Sequence, residues 1–186
     1  QGYWYFFKDA GFERGFDVID SSAAPKVAAI EGDQSSNSDE QSDAAIKLLQ
    51  APELAQKRFF MWMHFVDPHA EYAAHPEHDF GSQPRQRYDG EVAFVDHHLG
   101  RGLKALEASP FGERTAVVVT SDHGAADSGT HGADIPVMRR SPLFAYGPGI
   151  SAKPPSETLD QTDLANTLAA LFGVPAALHS QGPLLT

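Results

Sequence analysis

The sequence contains no cysteine, which excludes disulfide bonds, thiolate metal sites and a cysteine nucleophile within this chain. Positive charge is also scarce, because 14 lysines and arginines stand against 25 aspartates and glutamates, for a net charge of −11. A nucleic-acid partner normally requires a basic face, and an anionic membrane surface would repel an acidic chain. We therefore expect neither partner.

Long apolar runs are missing as well. The longest, Phe59–Val66, is interrupted by His64 and falls far short of the ~20 residues that span a bilayer. No membrane segment is therefore expected within this chain. The aromatic start, Gln1–Phe7, lacks the basic region of a signal peptide, so the signal of an exported parent protein would lie upstream of Gln1.

Enough apolar material is nevertheless present for one core, since 41% of the 186 residues are hydrophobic. Runs typical of buried strands alternate with segments of helical periodicity. The predicted strands and helices, in chain order, are a helix from Ser38 to about Gln50, a strand Phe59–Val66, a helix from Tyr88 to about Ala108, strands Thr115–Thr120 and Pro142–Tyr146, and a helix Leu159–Phe172 ending at Gly173. This alternation predicts a single α/β domain over residues 1–186, with a mainly parallel sheet flanked by helices.

Two polar clusters follow predicted strands, where ligands bind in open α/β sheets. In the second cluster, SDHG, Asp122 and His123 stand directly after the strand, and Gly124 is expected to give the turn its backbone freedom. One carboxylate with one imidazole suits Zn or Mn better than Ca, which prefers an all-oxygen shell. The alternative is an Asx-type turn in which Asp122 caps the next segment.

The first cluster, DPH, ends in His69, and Pro68 stiffens the turn that aims it. The alternative is a surface histidine in a loop that holds other histidines. His131 lies in a glycine-rich loop, from which it would complete a metal shell or donate a proton to a leaving group. Asp89 and Glu91 are expected in the first turn of the helix, where Asp89 caps it and negative charge is favoured.

Several segments, taken in order, resemble the sulfatase family within the alkaline phosphatase superfamily. They are GFERGFDVID, FFMWMHFVDPHAEY, YDGEVAFVDHHLGRGLKALE, TAVVVTSDHG, SPLFAYGPGI and TDLANTLAALFGVP. The resemblance covers almost the whole chain. It implies an alkaline-phosphatase-like α/β fold that is incomplete here, because the amino-terminal half of the family's catalytic domain is absent.

The resemblance also implies roles for individual residues. Asp122 and His123 would ligate one divalent metal ion, Ca, Mn or Zn, and His69 would contact the sulfate or phosphate group. His131 would lie in the site and act on the leaving oxygen. The Asp-His pair, in place of Asp-Asn, favours members that also cleave phosphate or phosphonate esters.

Two parts of the family's pattern are not found. The nucleophile, a formylglycine made from Cys or Ser or a Ser or Thr of other members, would lie upstream of Gln1 together with an acidic pair of metal ligands. The loop over residues 125–140, AADSGTHGADIPVMRR, departs from the family's glycine- and glutamate-rich pattern and has no matching lysine. We therefore expect this chain alone to be inactive or nearly so.

Three functions remain open. The first is part of a metal-dependent sulfuric ester hydrolase acting on a small molecule or glycan. The second is a phosphate or phosphonate ester hydrolase, or a transferase of a phospho-alcohol group. The third is a non-catalytic module that binds anions or a partner chain. A half-sheet would expose a strand edge and an apolar face, which predicts association with its own amino-terminal half or with a second copy. Export to the periplasm or cell exterior is a family expectation.

Overall fold

The computed structural model describes residues 11, 15–23, 36–69, 72–126, 134–151, 158–176 and 182–184. The chain divides into two compact units, Gln1–Pro148 and Gly149–Thr186. The α-helices and strands are α1 (Ser38–Leu49), α2 (Pro84–Glu107), β1 (Val117–Thr120), α3 (Pro136–Arg139), β2 (Leu143–Tyr146) and α4 (Thr162–Phe172). Short 3₁₀ turns cover Pro52–Gln56, Pro76–His78 and Gly112–Arg114. None of the helices among these residues is both long and apolar enough to cross a bilayer.

Helices α1 and α2 pack against each other in the first unit. The buried face of α1 carries Ser38, Ser42, Ala45 and Leu49, spaced by four, three and four residues as one side of a helix requires. The Ser42 hydroxyl donates a hydrogen bond of 2.8 Å to the backbone carbonyl of His98 in α2. Small side chains at this contact let the two backbones approach closely.

The start of α2 differs from the prediction. The helix begins at Pro84, four residues before the predicted Tyr88, and proline suits this first position because its missing N–H needs no partner there. Asp89 and Glu91 consequently lie inside the helix, and the expectation that they cap it or occupy its first turn was wrong. Glu91 is instead one of the most deeply buried side chains described, at 2% exposure.

Strands β1 and β2 form an antiparallel pair, with Val117 opposite Tyr146 and Thr120 opposite Leu143. Among the described residues this is the whole sheet, so the parallel pairing expected for this half is not seen. Residues 59–66 are not assigned as a strand, contrary to the prediction, and Phe60 and Trp62 are 49% and 38% exposed. Apolar side chains alone do not define a strand, which also requires regular backbone pairing with a neighbouring strand.

The second unit contains α4, whose end at Gly173 confirms the predicted stop. Gly173 has a φ of 66°, the left-handed conformation that glycine adopts readily after a helix. The helix begins at Thr162, later than the predicted Leu159, because Asp160 accepts hydrogen bonds from the Thr162 N–H and hydroxyl, both at 3.1 Å. The Asn166 side chain donates to the carbonyl of Gly182 within the same unit.

Candidate active site

The loop that carries His69 begins at a buried carboxylate. Asp67 is 6% exposed. Its Oδ2 accepts hydrogen bonds from the Asn37 N–H at 3.2 Å, the Ser38 N–H at 3.0 Å and the Ser38 hydroxyl at 2.5 Å. Negative charge is stabilising at a helix N-terminus, where backbone N–H groups lack partners within the helix. Asp67 therefore fastens the start of the loop to the first residue of α1, Ser38.

A second buried carboxylate holds the other side of the loop. Glu91 of α2 accepts a hydrogen bond from the His69 N–H at 3.0 Å and another from the Ala73 N–H at 2.6 Å. Burial raises the pKa of Glu91 to about 7, the Ala73 N–H opposes that rise, and the negative charge of Asp67 adds to it. The loop is thus tied to both packed helices of the first unit.

The His69 side chain itself is exposed, although its backbone N–H is held by the buried Glu91. A fixed backbone with an exposed imidazole is the arrangement that a histidine needs to meet a ligand from solution. His69 is thus exposed at a position whose backbone is held, and its contact with an anionic group stays a prediction.

Asp122 and His123 follow the last residue of β1 with one residue between, and both side chains are reachable from solvent. Their side chains are 85% and 43% exposed, and the Asp122 Oδ2 lies 3.6 Å from the His123 Nε2. Asp122 Oδ1 also accepts the His123 N–H at 2.9 Å. This bond joins neighbouring residues, whereas an Asx turn accepts the N–H two residues on, so it is not the Asx-type turn of the alternative interpretation.

The hydrogen bond at Nδ1 of His123 decides which tautomer of the ring faces Asp122. Its Nδ1 lies 2.9 Å from the Gly124 carbonyl oxygen. A carbonyl oxygen only accepts, so Nδ1 carries the proton and donates it. In the neutral ring, Nε2 then holds a lone pair directed to the side where Asp122 Oδ2 lies. A histidine metal ligand has this arrangement, with its second nitrogen fixed by a hydrogen bond.

These two residues fit a divalent metal ion. Carboxylate oxygen and imidazole nitrogen each bind Zn at about 2.0–2.2 Å, so one ion can lie between donor atoms about 3–4 Å apart. Among the described residues, no group of three or more His, Cys, Asp or Glu side chains is placed to hold a metal ion. The turn therefore offers a pair of donors, short of a complete shell. His131, the other predicted site histidine, lies outside the described residues.

Gly124 is required here for a reason other than the predicted one. Its φ is not positive, so backbone freedom is not what the turn uses. A Cβ at this position would lie 2.1 Å from the Val137 carbonyl oxygen and 2.5 Å from that of Arg140. The Gly124 N–H also donates to the Met138 carbonyl at 2.9 Å. The residues of α3 thus lie directly against the SDHG turn, which only a residue without a side chain permits.

Electrostatics connects this turn to the segment that leads to the His69 loop. Burial lowers the pKa of His64, and the negative charge of Asp122 acts in the opposite direction. The charge of Asp122 is thus one influence on the pKa of His64. The His64 side chain is half-buried.

Sequence reasoning missed two buried titratable residues near the loop, Glu91 and His75. His75 stacks on Phe94 of α2 with ring centroids 4.0 Å apart, and burial lowers its pKa while the charge of Asp67 opposes that shift. The spacing of Glu91 and Phe94, three residues apart in a helix, puts them on one face. A large apolar side chain such as Phe94 belongs on the buried face of a helix, so that spacing was a signal that Glu91 is buried too.

Three comparisons bear on what this chain is. A family model described as Sulfatase matches residues 2–174. The iduronate 2-sulfatase of Mus musculus is 37% identical over 90 residues, covering 46% of this chain and 16% of that relative. GPI ethanolamine phosphate transferase 1 of Gibberella zeae is 34% identical over 67 residues, covering 36% and 7%. The crystal structure of Ps i-CgsB in complex with k-i-k-neocarrahexaose matches with a TM-score of 0.66 at 24% identity, over 79% of this chain and 37% of that chain.

The likeness to the solved structure establishes the class of the domain, an alkaline-phosphatase-like α/β fold, as predicted. Within that class the chain belongs to the sulfatase family, because the family model covers nearly all of it. The chain spans less than a fifth of the length of the two sequence relatives and about a third of the structural one.

Proposed function

We propose that this chain is part of a metal-dependent sulfatase, which hydrolyses sulfate esters. The observation that supports this best is the geometry of the SDHG turn. Asp122 Oδ2 and His123 Nε2 lie 3.6 Å apart on exposed side chains, and the proton of His123 is committed to Nδ1. Two donors oriented together in this way, in a member of the sulfatase family, are best explained as ligands of one divalent cation.

Asp122 and His123 would hold that ion. A mixed oxygen and nitrogen pair suits Zn or Mn, while Ca would need further oxygen ligands from elsewhere in the protein. A bound divalent ion supplies charge that stabilises the ester oxygens and the nucleophile. The chain's own task at this turn is to hold the Asp122 carboxylate beside the Nε2 lone pair of His123.

His69 would contact the anionic group of the ester. Its imidazole stands on a backbone fastened by Asp67 and Glu91, so a hydrogen bond from the ring to a sulfate oxygen needs little reorganisation. His131 would protonate the leaving oxygen as a general acid. The nucleophile, expected to be a formylglycine, would come from a part of the protein outside this sequence, so activity belongs to the whole protein.

The substrate class we propose is a sulfated glycan. One relative is named for a sulfated sugar acid, an iduronate 2-sulfatase, and the matching solved structure holds the oligosaccharide k-i-k-neocarrahexaose. The acidic character of this chain, at −11, would repel a polyanionic glycan at long range. Recognition would therefore depend on the local site, through the metal ion and the exposed imidazole of His69.

The test is metal content and turnover in the intact protein. We expect Asp122→Ala and His123→Ala each to lose stoichiometric metal and to lower aryl sulfate turnover by about 100-fold or more, as removal of groups that organise transition-state charge does. Asp96→Ala, at an exposed position of α2, is the matched control and should keep both. Full metal content in the Asp122→Ala variant would contradict the proposed ligand pair.

A second candidate is a phosphate ester hydrolase or a transferase of a phospho-alcohol group. The match to GPI ethanolamine phosphate transferase 1 favours it. The same preparation, given an aryl sulfate and an aryl phosphate, separates the candidates. Metal-dependent turnover of the phosphate with none of the sulfate would favour the second. No turnover of either, with metal bound, would favour the non-catalytic binding module.

A further inference from the structure

Glu91 is an acidic side chain in the interior of a helix, with 2% of its surface exposed. Burying a carboxylate is costly unless hydrogen bonds replace its lost water. Both oxygens of Glu91 accept from backbone N–H groups of one loop, Oε2 from His69 at 3.0 Å and Oε1 from Ala73 at 2.6 Å. The carboxylate thus joins α2 to the backbone at residues 69 and 73.

This contact has a strict chemical requirement. Two N–H donors need two acceptors, which a carboxylate provides and an amide does not. Glutamine would satisfy one donor and direct its own NH₂ group at the other. Aspartate keeps the charge but is one methylene shorter, so it would fall short of the two N–H groups that Glu91 reaches.

Further hydrogen bonds hold the same stretch of chain. On the opposite side, Asp67 fastens the same stretch to the first turn of α1. Helix α1 in turn contacts α2 through Ser42 and the His98 carbonyl. The backbone is therefore held at residues 67, 69 and 73, and the His69 contact lies directly at the residue proposed to meet the ester.

We propose that Glu91 is a positioning residue for His69: its buried carboxylate holds the His69 backbone so that the imidazole is aligned with the sulfate ester. This inference rests on the proposed function, in which His69 contacts the anion. Glu91 touches neither substrate nor metal and acts only through the loop. Its removal should therefore misplace the imidazole while leaving the metal ligands Asp122 and His123 in place.

A double-mutant cycle in the intact protein tests this, with aryl sulfate turnover expressed per bound metal ion so that unfolded molecules do not count. We expect Glu91→Gln to lower kcat by about 10- to 100-fold, the scale of a displacement of about 1 Å. Glu91→Asp should also lower kcat. The double variant Glu91→Gln/His69→Ala should be no slower than His69→Ala alone, because the two residues act as one unit.

Amide hydrogen exchange supplies a readout independent of turnover. In Glu91→Gln, exchange should rise at the His69 and Ala73 amides and stay unchanged in α4. Glu107→Gln, at an exposed position of the same helix, should change neither exchange nor turnover.

The outcomes separate the two proposals. If the wild type turns over no sulfate ester, or His69→Ala is fully active, the proposed function fails and this inference with it. If His69→Ala is impaired but Glu91→Gln keeps full turnover, or if the two losses multiply in the double variant, the inference alone is overturned. Unchanged exchange at His69 and Ala73 in Glu91→Gln would also overturn it.

Discussion

At the scale of single residues, the candidate site depends on where protons are held. His123 donates from Nδ1 to a carbonyl, which leaves Nε2 as an acceptor beside Asp122. Glu91 is a residue whose proton is held by burial. Burial raises its pKa to about 7 even though two N–H groups favour its charged form. One side chain is therefore prepared to bind a cation, and the other is an acid whose charge depends on pH near neutrality.

The Glu91 shift predicts a pH-dependent stability. Its pKa is about 7 in the folded protein against an ordinary 4.5, so between these pH values the folded state binds more protons than the unfolded state. The free energy of unfolding should then fall as pH rises from about 4.5 to about 7, by at most about 1.4 kcal/mol per pH unit from this group. Denaturant unfolding of metal-free wild type and Glu91→Gln at pH 5, 6, 7 and 8 measures it.

The difference between the two proteins is the informative quantity, because it removes the contribution of other titrating groups. Asp67 faces Glu91 and raises its pKa further, so the slope should also lessen in Asp67→Asn. Parallel stability curves for wild type and Glu91→Gln would show that Glu91 titrates normally.

At the scale of elements, the two parts of the site are supported in different ways. Side-chain carboxylates fasten the His69 loop to α1 and α2. The SDHG turn is instead held by its own local hydrogen bonds and by close backbone contact with the residues of α3. The support of the His69 loop should therefore respond to a change of side-chain charge. The support of the SDHG turn should respond to a change of side-chain volume.

We accordingly predict a steric effect at Gly124. In Gly124→Ala the added methyl group would meet two backbone carbonyl oxygens at 2.1 and 2.5 Å, and neither can move as a flexible side-chain end would. Overpacking of this kind costs about 1–3 kcal/mol of stability, and the adjacent donors should bind metal more weakly. Denaturant unfolding and metal titration of the intact protein measure both effects.

Gly100 of α2 provides the matched control, because a Cβ there meets nothing within 4 Å. Gly100→Ala should be neutral or stabilising by up to about 1 kcal/mol, since alanine is favoured over glycine inside a helix. Equal effects of the two substitutions would mean that contact with the α3 segment does not constrain the turn.

At the scale of the whole molecule, motifs and local periodicity predicted much of the organisation. The clusters around His69 and Asp122 were found because short patterns follow apolar runs, and α1 and α4 were found from periodicity and a terminal glycine. That residues 59–66 do not form an assigned strand could not be predicted from their sequence, because strand pairing depends on distant neighbours. The role of Glu91 was missed for the same reason, since its hydrogen-bond partners lie 18 and 22 residues away in sequence.

Large apolar side chains remain exposed in the first unit. Phe144 is 65% exposed, Phe60 49% and Tyr146 43%. We predict that the isolated 186-residue chain self-associates, because exposed apolar patches and open strand edges favour association. Sedimentation velocity should show a mass that rises with concentration, and Phe144→Thr should reduce this rise. A monomeric chain with cooperative unfolding at all concentrations would contradict the prediction.

The SDHG turn orients its own side chains through hydrogen bonds between neighbouring residues. The Asp122 carboxylate accepts the next N–H, and the His123 ring is held by the next carbonyl, so two hydrogen bonds between neighbouring residues orient the two donors. Such a turn can be transferred to another protein. Placed at the end of another strand, with room behind the glycine for a closely approaching backbone, these four residues would present the same bidentate pair, which makes them a starting fragment for engineered cation sites.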